Sequence, residues 1–246
     1  IPTEVVPVHG FTEDDARLYG ILLGDGHLSK DGMQWGVSGS PQADNDHLEF
    51  VRSYLAGHGI HSWETGRGTT YVQIHWASGM GVLRNGTTGR ITGADAPTLP
   101  FEHTDLYDAQ HAKRIAPRLS HLPPAQTLAL VQGLLETDGC VSRGKELSFT
   151  SASEPLAYGL RYQMLRLGIP VSGQKRTRRY DHTGLRSDGS AAVFDSTGTC
   201  IDLRIPALPE LAQRLGCQAL TKRNWITRDG VLYSRVRSVT GIIPKP

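Results

Sequence analysis

The sequence has few cysteines and no long apolar stretch. Its three cysteines, Cys140, Cys200 and Cys217, form no Cys-x-x-Cys pair, and an odd number of them cannot pair completely among themselves. The sequence therefore argues against a disulfide framework and a cysteine-based zinc site, and a reducing cytoplasm is the expected location. No apolar run approaches the roughly 20 residues that a membrane-spanning helix needs. We expect no membrane partner.

Basic charge is scarce in the first half of the chain and acidic charge in the second. Residues 1–120 contain 9 Lys and Arg against 14 Asp and Glu, whereas residues 121–246 contain 17 against 10, and the net charge is +2. The densest basic cluster is Lys175, Arg176, Arg178 and Arg179. Such an excess favours a polyanionic partner, with a solvated basic loop as the alternative. We expect the second half to bind this partner more strongly.

One short pattern occurs twice, 113 residues apart. Leu18–Gly26 and Val131–Gly139 each read as the apolar end of a helix that contains a glycine and stops at Asp-Gly. The flanking sequences also match, because each half reads as helix, strand pair, helix, strand pair and helical tail. We infer an internal duplication, with a first repeat at residues 1–120 and a second at residues 121–246.

Two further segments occupy corresponding places late in the two halves. Residues 79–93 are rich in Gly and Thr, and residues 181–198 also contain several small and polar residues. Such composition is typical of connections between regular elements. We expect both segments to be mobile loops.

The spacing within the repeated pattern predicts two helices in close contact. Gly20 and Gly24 lie four residues apart. Gly133 and Thr137 repeat that spacing, so small residues line one face of each helix. Small side chains let two helix backbones approach closely, and the apolar neighbours bury the seam between them.

An aspartate follows directly after each of these helices. If the helices pack in parallel, Asp25 and Asp138 emerge together at the end of the seam. Two like charges beside the negative C-terminal ends of helices are unfavourable without cations. The pattern therefore predicts a divalent metal site that binds Mg²⁺. The alternative is that each Asp-Gly is an ordinary turn.

The repeated pattern resembles the signature of the two-repeat LAGLIDADG homing endonucleases, also called dodecapeptide endonucleases. Leu18–Gly26 carries Leu23 where the motif often has an acidic residue, but it keeps both glycines and the terminal Asp-Gly. The resemblance covers about residues 11–230. It implies an α+β fold, a pseudo-twofold duplication of αββαββα in which two antiparallel sheets form a saddle for the DNA major groove. It also implies a monomer with internal pseudo-twofold symmetry.

The resemblance further implies a metal site. Asp25 and Asp138 would be the catalytic metal ligands, helped by main-chain carbonyls near Gly24 and Thr137. Mg²⁺ is the implied cofactor, with Mn²⁺ or Ca²⁺ as substitutes for binding. The bound metal would activate water for attack on one phosphodiester in each strand.

Two lysines are implied as catalytic residues by the same resemblance. Lys113 follows Asp25 by 88 residues, and Lys222 follows Asp138 by 84 residues. Their corresponding positions indicate one lysine for each half, which would polarise water or stabilise negative charge at phosphorus. The alternative for each is a surface lysine.

Candidate DNA contacts are the long polar side chains in and beside the strand-like segments. Alternate strand residues would face the DNA, with Arg and Lys binding guanine or phosphate and Gln binding adenine. A merely solvated side chain is the alternative for each. The candidates are Gln34, Arg67, Gln73, Arg143, Lys145, Gln174, Lys175, Arg176, Arg178 and Arg179.

Two features indicate the endonuclease domain of an intein, with a free-standing enzyme as the alternative. Lys113–Pro117 approximates the Lys-x-Ile-Pro that precedes the second motif in such domains, and Tyr233–Val239 resembles the return strand into an intein splicing domain. The leading hypothesis is a homing endonuclease that hydrolyses both strands of double-stranded DNA at a long site. The alternatives are an inactive DNA-binding protein of the same fold and an RNA maturase that assists intron splicing.

Overall fold

A computed structural model of the protein describes most of the chain. It contains two successive groups of helices and strands, and the order of the elements is the same in both groups. No helix among the described residues is long and apolar enough to cross a membrane. The described residues are 2–28, 34–42, 45–67, 70–77, 83–84, 91–92, 99–142, 146–185 and 191–234.

The first half places a helix before each of two strand pairs. Strands β1 to β4 form an antiparallel sheet in the order β1-β2-β4-β3, and β5 pairs with β6 apart from it. The described elements are α1 (Glu13–Gly24), β1 (Gly26–Leu28), β2 (Gln34–Gly39), α2 (Asn45–Gly57), β3 (Ser62–Arg67), β4 (Tyr71–Ala77), β5 (Leu83–Arg84), β6 (Ile91–Thr92) and α3 (His103–Leu106).

The second half repeats this order after a 3-10 turn at Pro117–Leu119. Its antiparallel sheet has the order β7-β8-β10-β9, which matches that of the first half, and β11 pairs with β12. The predicted α+β duplication of αββαββα is therefore confirmed. The described elements are α4 (Pro124–Thr137), β7 (Gly139–Ser142), β8 (Glu146–Ser151), α5 (Glu154–Arg166), β9 (Ser172–Leu185), β10 (Ala191–Ile205), α6 (Pro209–Arg214), β11 (Trp225–Arg228) and β12 (Val231–Ser234).

Local sequence signals explain where the two long interface helices begin. Thr12 caps α1: its hydroxyl accepts from the Asp15 amide at 3.1 Å, and the Asp15 carboxylate accepts from the Thr12 amide at 2.7 Å. This reciprocal capping satisfies amides that a helix start otherwise leaves free. Pro124 opens α4 at its first position, where the missing N–H carries no cost.

Helices α1 and α4 pack side by side through their small residues. A Cβ added to Gly20 would overlap the Leu130 carbonyl oxygen, and one added to Gly133 would overlap the Arg17 carbonyl oxygen. Further along, Gly24 meets Thr137, so the contacts advance in the same direction along both helices. The predicted parallel seam is therefore confirmed.

One hydrophobic cluster runs through both halves. It includes Leu22 and Ile74 from the first half and Leu134, Phe149 and Leu203 from the second, all nearly inaccessible to solvent. Each half alone would leave its side of the α1–α4 seam exposed, so burial of apolar area stabilises the two together. The proposed boundary at residues 120 and 121 stays a prediction.

One predicted loop is wrong. Residues 181–185 and 191–198 belong to β9 and β10, which pair without interruption from Ser172↔Arg204 to Leu185↔Ala191. The ladder of paired amides and carbonyls sustains these strands, and composition alone does not reveal such pairing. Residues 83–84 and 91–92 of the other predicted loop form a short antiparallel pair, and its remaining residues lie outside the described ones.

Candidate metal centre and nucleic-acid interface

The two motif aspartates lie together at the ends of the central helices. Asp25 caps the C-terminus of α1 and Asp138 caps that of α4, with nearly equal backbone angles. A Cβ placed on Gly24 would overlap the Thr137 side chain and lie 3.6 Å from Asp138 Cγ. The structure thus brings all four predicted metal-site residues to one end of the seam, and both carboxylates are partly exposed there.

Lys113 also reaches this end of the seam. Its Nζ donates a hydrogen bond to the Gly24 carbonyl. Burial lowers the pKa of Lys113, while the carboxylates of Asp138 and Asp25 act in the opposite direction. Burial likewise raises the pKa of Asp138, and the positive charge of Lys113 partly offsets that effect. The lysine therefore supplies positive charge between two carboxylates that would otherwise repel each other.

The segment of Lys113 belongs to the first half in sequence but contacts the second half in space. Ser153, which caps α5, donates from its hydroxyl to the Lys113 carbonyl at 2.5 Å. Ile115 packs over Gly159 of the same helix, where an added Cβ would lie 3.3 Å from Ile115 Cδ1. Lys113 is thus held between the two halves.

The structure places Lys222 on the segment that follows α6, where its side chain is exposed. Three residues later, Trp225 is buried and donates from its indole N–H to the Gly168 carbonyl at 3.2 Å. This bond ties the segment to the C-terminal end of α5. The expected catalytic role of Lys222 stays a prediction.

The residues at the seam fit a hard divalent cation. Two carboxylates and a main-chain carbonyl are oxygen ligands of the kind that Mg²⁺ binds. Within the described part of the chain, no group of three or more His, Cys, Asp and Glu side chains could hold a metal. A pair of carboxylates suits an ion that also binds water and phosphate oxygens rather than one enclosed by protein.

The solvent-facing side of the first sheet carries uncharged polar groups. Gln73 Nε2 lies 3.1 Å from His27 Nε2, and Gln34 Nε2 lies 3.4 Å from His75 Nδ1. The imidazole of His27 covers Gly36, where a Cβ would overlap it. Burial lowers the pKa of both histidines, and for His27 the charges of His75 and Lys113 add to this effect.

Sequence reasoning missed two histidines of this face, the partly buried His27 and the buried His75. A signal for them was present: His75 alternates with buried Ile74 and Trp76 in β4, so it must face away from the core. Thr65 Oγ1 lies 2.8 Å from His75 Nε2 and extends the network to the edge strand β3. A cavity of about 530 Å³ lies beside it, lined by Thr65, Gly66, Tyr71 and Gln73.

The second sheet carries charged groups on the corresponding face. Arg176 pairs with Asp202, with 3.1 Å between Nε and Oδ2, and Thr150 donates to the other Asp202 oxygen at 2.9 Å. Gln174 lies opposite Asp202 in the ladder and shares this face. Lys175 points to the other side, where its amine donates to Glu154 of α5 at 2.9 Å. The two-residue period of a strand thus separates Lys175 from Gln174 and Arg176.

The remaining candidate DNA contacts are only partly located. Arg179 is exposed on β9. Arg67 ends β3 and Arg178 lies within β9, but their side chains lie outside the described ones. Arg143 and Lys145 lie outside the described residues altogether.

Comparison with known proteins supports the fold assignment. A family profile for the LAGLIDADG-like domain matches residues 125–199, from α4 into β10. No curated protein sequence matches the chain. The chain therefore resembles LAGLIDADG proteins in its second half, and its own duplicated topology extends that fold to the first half.

Solved structures of similar architecture have little sequence in common with the chain. Mesophilic variants of the homing endonuclease I-DmoI are 13% identical, with 82% of this chain and 86% of theirs aligned at a TM-score of 0.44. I-DmoI in complex with DNA and Ca gives the same identity and coverage at a TM-score of 0.45. Full-length DUF199/WhiA from Thermatoga maritima is 13% identical over 87% of this chain and 58% of its own, with a TM-score of 0.44. These TM-scores lie below 0.5, so the fold assignment rests on the profile match and the topology.

Proposed function

We propose that the protein is a site-specific endonuclease that hydrolyses both strands of double-stranded DNA at a long recognition site, using a divalent metal. The observation that carries this proposal is the convergence of Asp25, Asp138 and Lys113 at the end of the α1–α4 seam. Two carboxylates and one ammonium group in so small a space suit chemistry on a phosphodiester, whose transition state gains negative charge.

Each residue at the seam has a definite part in this proposal. Asp25 and Asp138 would hold Mg²⁺ together with main-chain carbonyls at Gly24 and Thr137. When bound, the metal supplies an activated water and stabilises the leaving oxygen. The ammonium group of Lys113 would bind the phosphate oxygen on which negative charge develops. Its link to the Gly24 carbonyl holds it beside the carboxylates.

The two sheets would form the DNA-binding surface, and each would contact a different part of the DNA. Arg176 of the second half would bind the phosphate backbone, which supplies most of the affinity. Gln34 and Gln73 of the first half present amides beside neutral imidazoles, which suits hydrogen bonding to base edges. Gln174 shares the face of Arg176 and would extend this surface, whereas Lys175 and Arg179 alternate with it and belong to the other face of the strand.

Selection of cleaved duplexes from a random library tests the proposal directly. We expect one long sequence to be enriched and cut in both strands with Mg²⁺ or Mn²⁺, and bound without cleavage in Ca²⁺. The Asp25→Asn variant, which keeps the shape of the side chain, should bind the selected duplex and leave it intact. Cleavage by this variant at the wild-type rate would refute the assigned site.

A second candidate is a DNA-binding protein of this fold that does not cut. The exposure of Lys222 favours it, because a lysine held at the carboxylates is observed for Lys113 in the first half. Tight binding of a selected duplex, with neither strand nicked in Mg²⁺ or Mn²⁺, would favour this candidate over the endonuclease.

An intein origin is a separate part of the proposal. It is supported by the sequences of Lys113–Pro117 and Tyr233–Val239. In the second of these segments, the described residues are Tyr233 and Ser234. The flanking gene sequence tests it, because splicing motifs on either side would establish an intein. Their absence from the flanks would leave a free-standing protein.

A further inference from the structure

The segment around Lys113 forms a small closed hairpin. Tyr107 and Lys113 form an isolated antiparallel bridge. The Asp108 amide donates to the Ala112 carbonyl at 2.9 Å, and the Arg114 amide donates to the Leu106 carbonyl at 2.9 Å. The Lys113 hairpin, residues 105–116, therefore has two arms that meet at a base formed by its first and last residues.

One side-chain oxygen ties the two arms together at this base. The Tyr19 hydroxyl donates to the Asp105 carbonyl of the first arm. In the second arm, the Ala116 amide donates to the same hydroxyl at 3.0 Å, and the Arg114 carbonyl lies 3.3 Å from it. Tyr19 is completely buried in α1, six residues before Asp25. The helix that delivers one aspartate therefore also holds the hairpin that delivers the lysine.

An ion pair between the partly exposed Arg118 and the buried Asp105 supports the same base. Arg118 Nε donates to Asp105 Oδ1 at 2.8 Å, and Arg118 Nη2 donates to the Pro100 carbonyl at 3.0 Å. Asp105 Oδ2 also accepts from the Glu102 amide at 2.8 Å, which caps α3. The Asp105 backbone, which Tyr19 binds, is thus fixed by its own side chain as well.

The amine of Lys113 needs such support. A lysine side chain is long and flexible, and its charged end moves toward water when it can. Here the amine is drawn inward to the Gly24 carbonyl although burial disfavours its charge. The hairpin backbone must therefore be fixed, because a small displacement of it would let the amine leave the Gly24 carbonyl and turn to solvent.

We propose that Tyr19 is a positioning residue: its hydroxyl closes the Lys113 hairpin and thereby holds the Lys113 amine at the end of the α1–α4 seam. For its effect on DNA cleavage, this inference rests on the proposed function. Its structural part, the closure of the hairpin, is independent of whether the protein cuts DNA.

Hydrogen exchange of the metal-free protein tests the closure. We expect Tyr19→Phe to speed exchange of the amides in peptides covering residues 105–116 by about tenfold or more, since local opening becomes easier. Tyr54→Phe is the matched control, because Tyr54 is also buried in the first half and donates its hydroxyl to the Asp15 carboxylate, away from the hairpin. Unchanged exchange in Tyr19→Phe, or equal acceleration in both variants, would overturn the inference with or without DNA cleavage.

A double-mutant cycle tests whether Tyr19 acts through Lys113. We expect Tyr19→Phe to lower the single-turnover cleavage rate about tenfold or more, with DNA affinity unchanged. In a Lys113→Met background the same substitution should cause no further loss, because the amine is already gone. An equal, multiplicative loss in both backgrounds would show a structural effect and overturn the inference.

A surface variant covers the case in which Tyr19→Phe does not fold. Arg118→Lys keeps a positive charge beside the buried Asp105 carboxylate but removes the forked guanidinium that binds both Asp105 and the Pro100 carbonyl. We expect faster exchange in residues 105–116 and a smaller, Lys113-dependent loss of rate. If wild-type protein cuts no selected duplex, the proposed function fails, while hydrogen exchange still decides the role of Tyr19 in the hairpin.

Discussion

The two halves of the molecule share a backbone plan but not a set of polar side chains. Their sheets have the same strand order, and Asp25 and Asp138 end their helices in the same way. Their second strand pairs differ, however, since β3 and β4 have 6 and 7 residues whereas β9 and β10 have 14 and 15. Packing at the α1–α4 seam constrains both halves equally, while their surfaces are free to differ.

In the candidate site, some features are the same in both halves and others differ. The carboxylates come in a symmetric pair, because two equivalent helix ends deliver them. The lysines differ in their surroundings, because Lys113 lies in a hairpin held by Tyr19 and Ser153, whereas Lys222 is exposed on a segment that Trp225 anchors to the end of α5. The sheet faces differ likewise, with neutral His and Gln groups in one and Arg and Asp groups in the other.

The aspartates should be equally important. We expect Asp25→Asn and Asp138→Asn each to lower the single-turnover cleavage rate in Mg²⁺ by more than about 100-fold. The reason is that substituting a residue that only hydrogen-bonds a metal ligand already costs about 10- to 100-fold, and these aspartates would bind the metal directly. Rates on the selected duplex, with binding measured in Ca²⁺, check this. A variant of one aspartate that still cuts both strands would break the symmetry inferred for the pair.

The lysines should be unequal. We expect Lys113→Met to lower the rate by about 100-fold, because it removes a charge beside the developing phosphorane. Lys222→Met is the matched comparison, and it should change the rate by no more than about twofold because its side chain is exposed, whereas the amine of Lys113 is bound at Gly24. Cleavage of duplexes labelled on one strand or the other would show whether both strands depend on Lys113. Equal losses for the two lysines would show that Lys222 also acts at the site.

The seam should again be symmetric. We expect Gly20→Ala and Gly133→Ala each to lower the free energy of unfolding by about 1–3 kcal/mol or more, because an added methyl group overlaps a backbone oxygen. Gly57→Ala at the end of α2 is the control, since nothing lies within 4 Å of its Cβ position. Denaturant unfolding measures all three. A seam variant as stable as wild type would show that the helices can separate without cost.

The basic surface should favour the second half. We expect Arg176→Gln to weaken DNA binding at low salt several-fold and to reduce the slope of affinity against salt concentration by about 1. Arg67→Gln in the first half should have a smaller effect. Fluorescence anisotropy at several salt concentrations checks both variants. Equal losses would contradict the division of charge between the halves.

The smallest expected effect concerns stability and pH. Burial raises the pKa of Asp138, so its ionised form is less favourable in the folded protein than in the unfolded chain. This cost is present above the raised pKa and disappears as the pH falls below the ordinary value. Asp138→Asn should therefore raise the melting temperature of metal-free protein at neutral pH and have little effect at acid pH. A lower melting temperature at neutral pH would show that attraction to Lys113 outweighs burial.

Much of the fold could be predicted because its signals are local and repeated. The capping residues Thr12 and Asp15 and the prolines before α4 mark helix starts. The glycines four residues apart predict a seam, and two copies of one pattern predict a duplication. The long β9–β10 hairpin could not be predicted in the same way, since its stability comes from pairing between strands rather than from the composition of either one.

The sequence by itself determined the paired helices, the two aspartates at their ends and the contrast in charge between the halves, because spacing and charge count are properties of the chain. Only the tertiary structure decided that Lys113 reaches the carboxylates, that Lys175 faces a helix, and that His27 and His75 lie together on one face of the first sheet. Those outcomes depend on contacts between residues distant in sequence, such as Tyr19 with the Lys113 hairpin and Lys175 with Glu154.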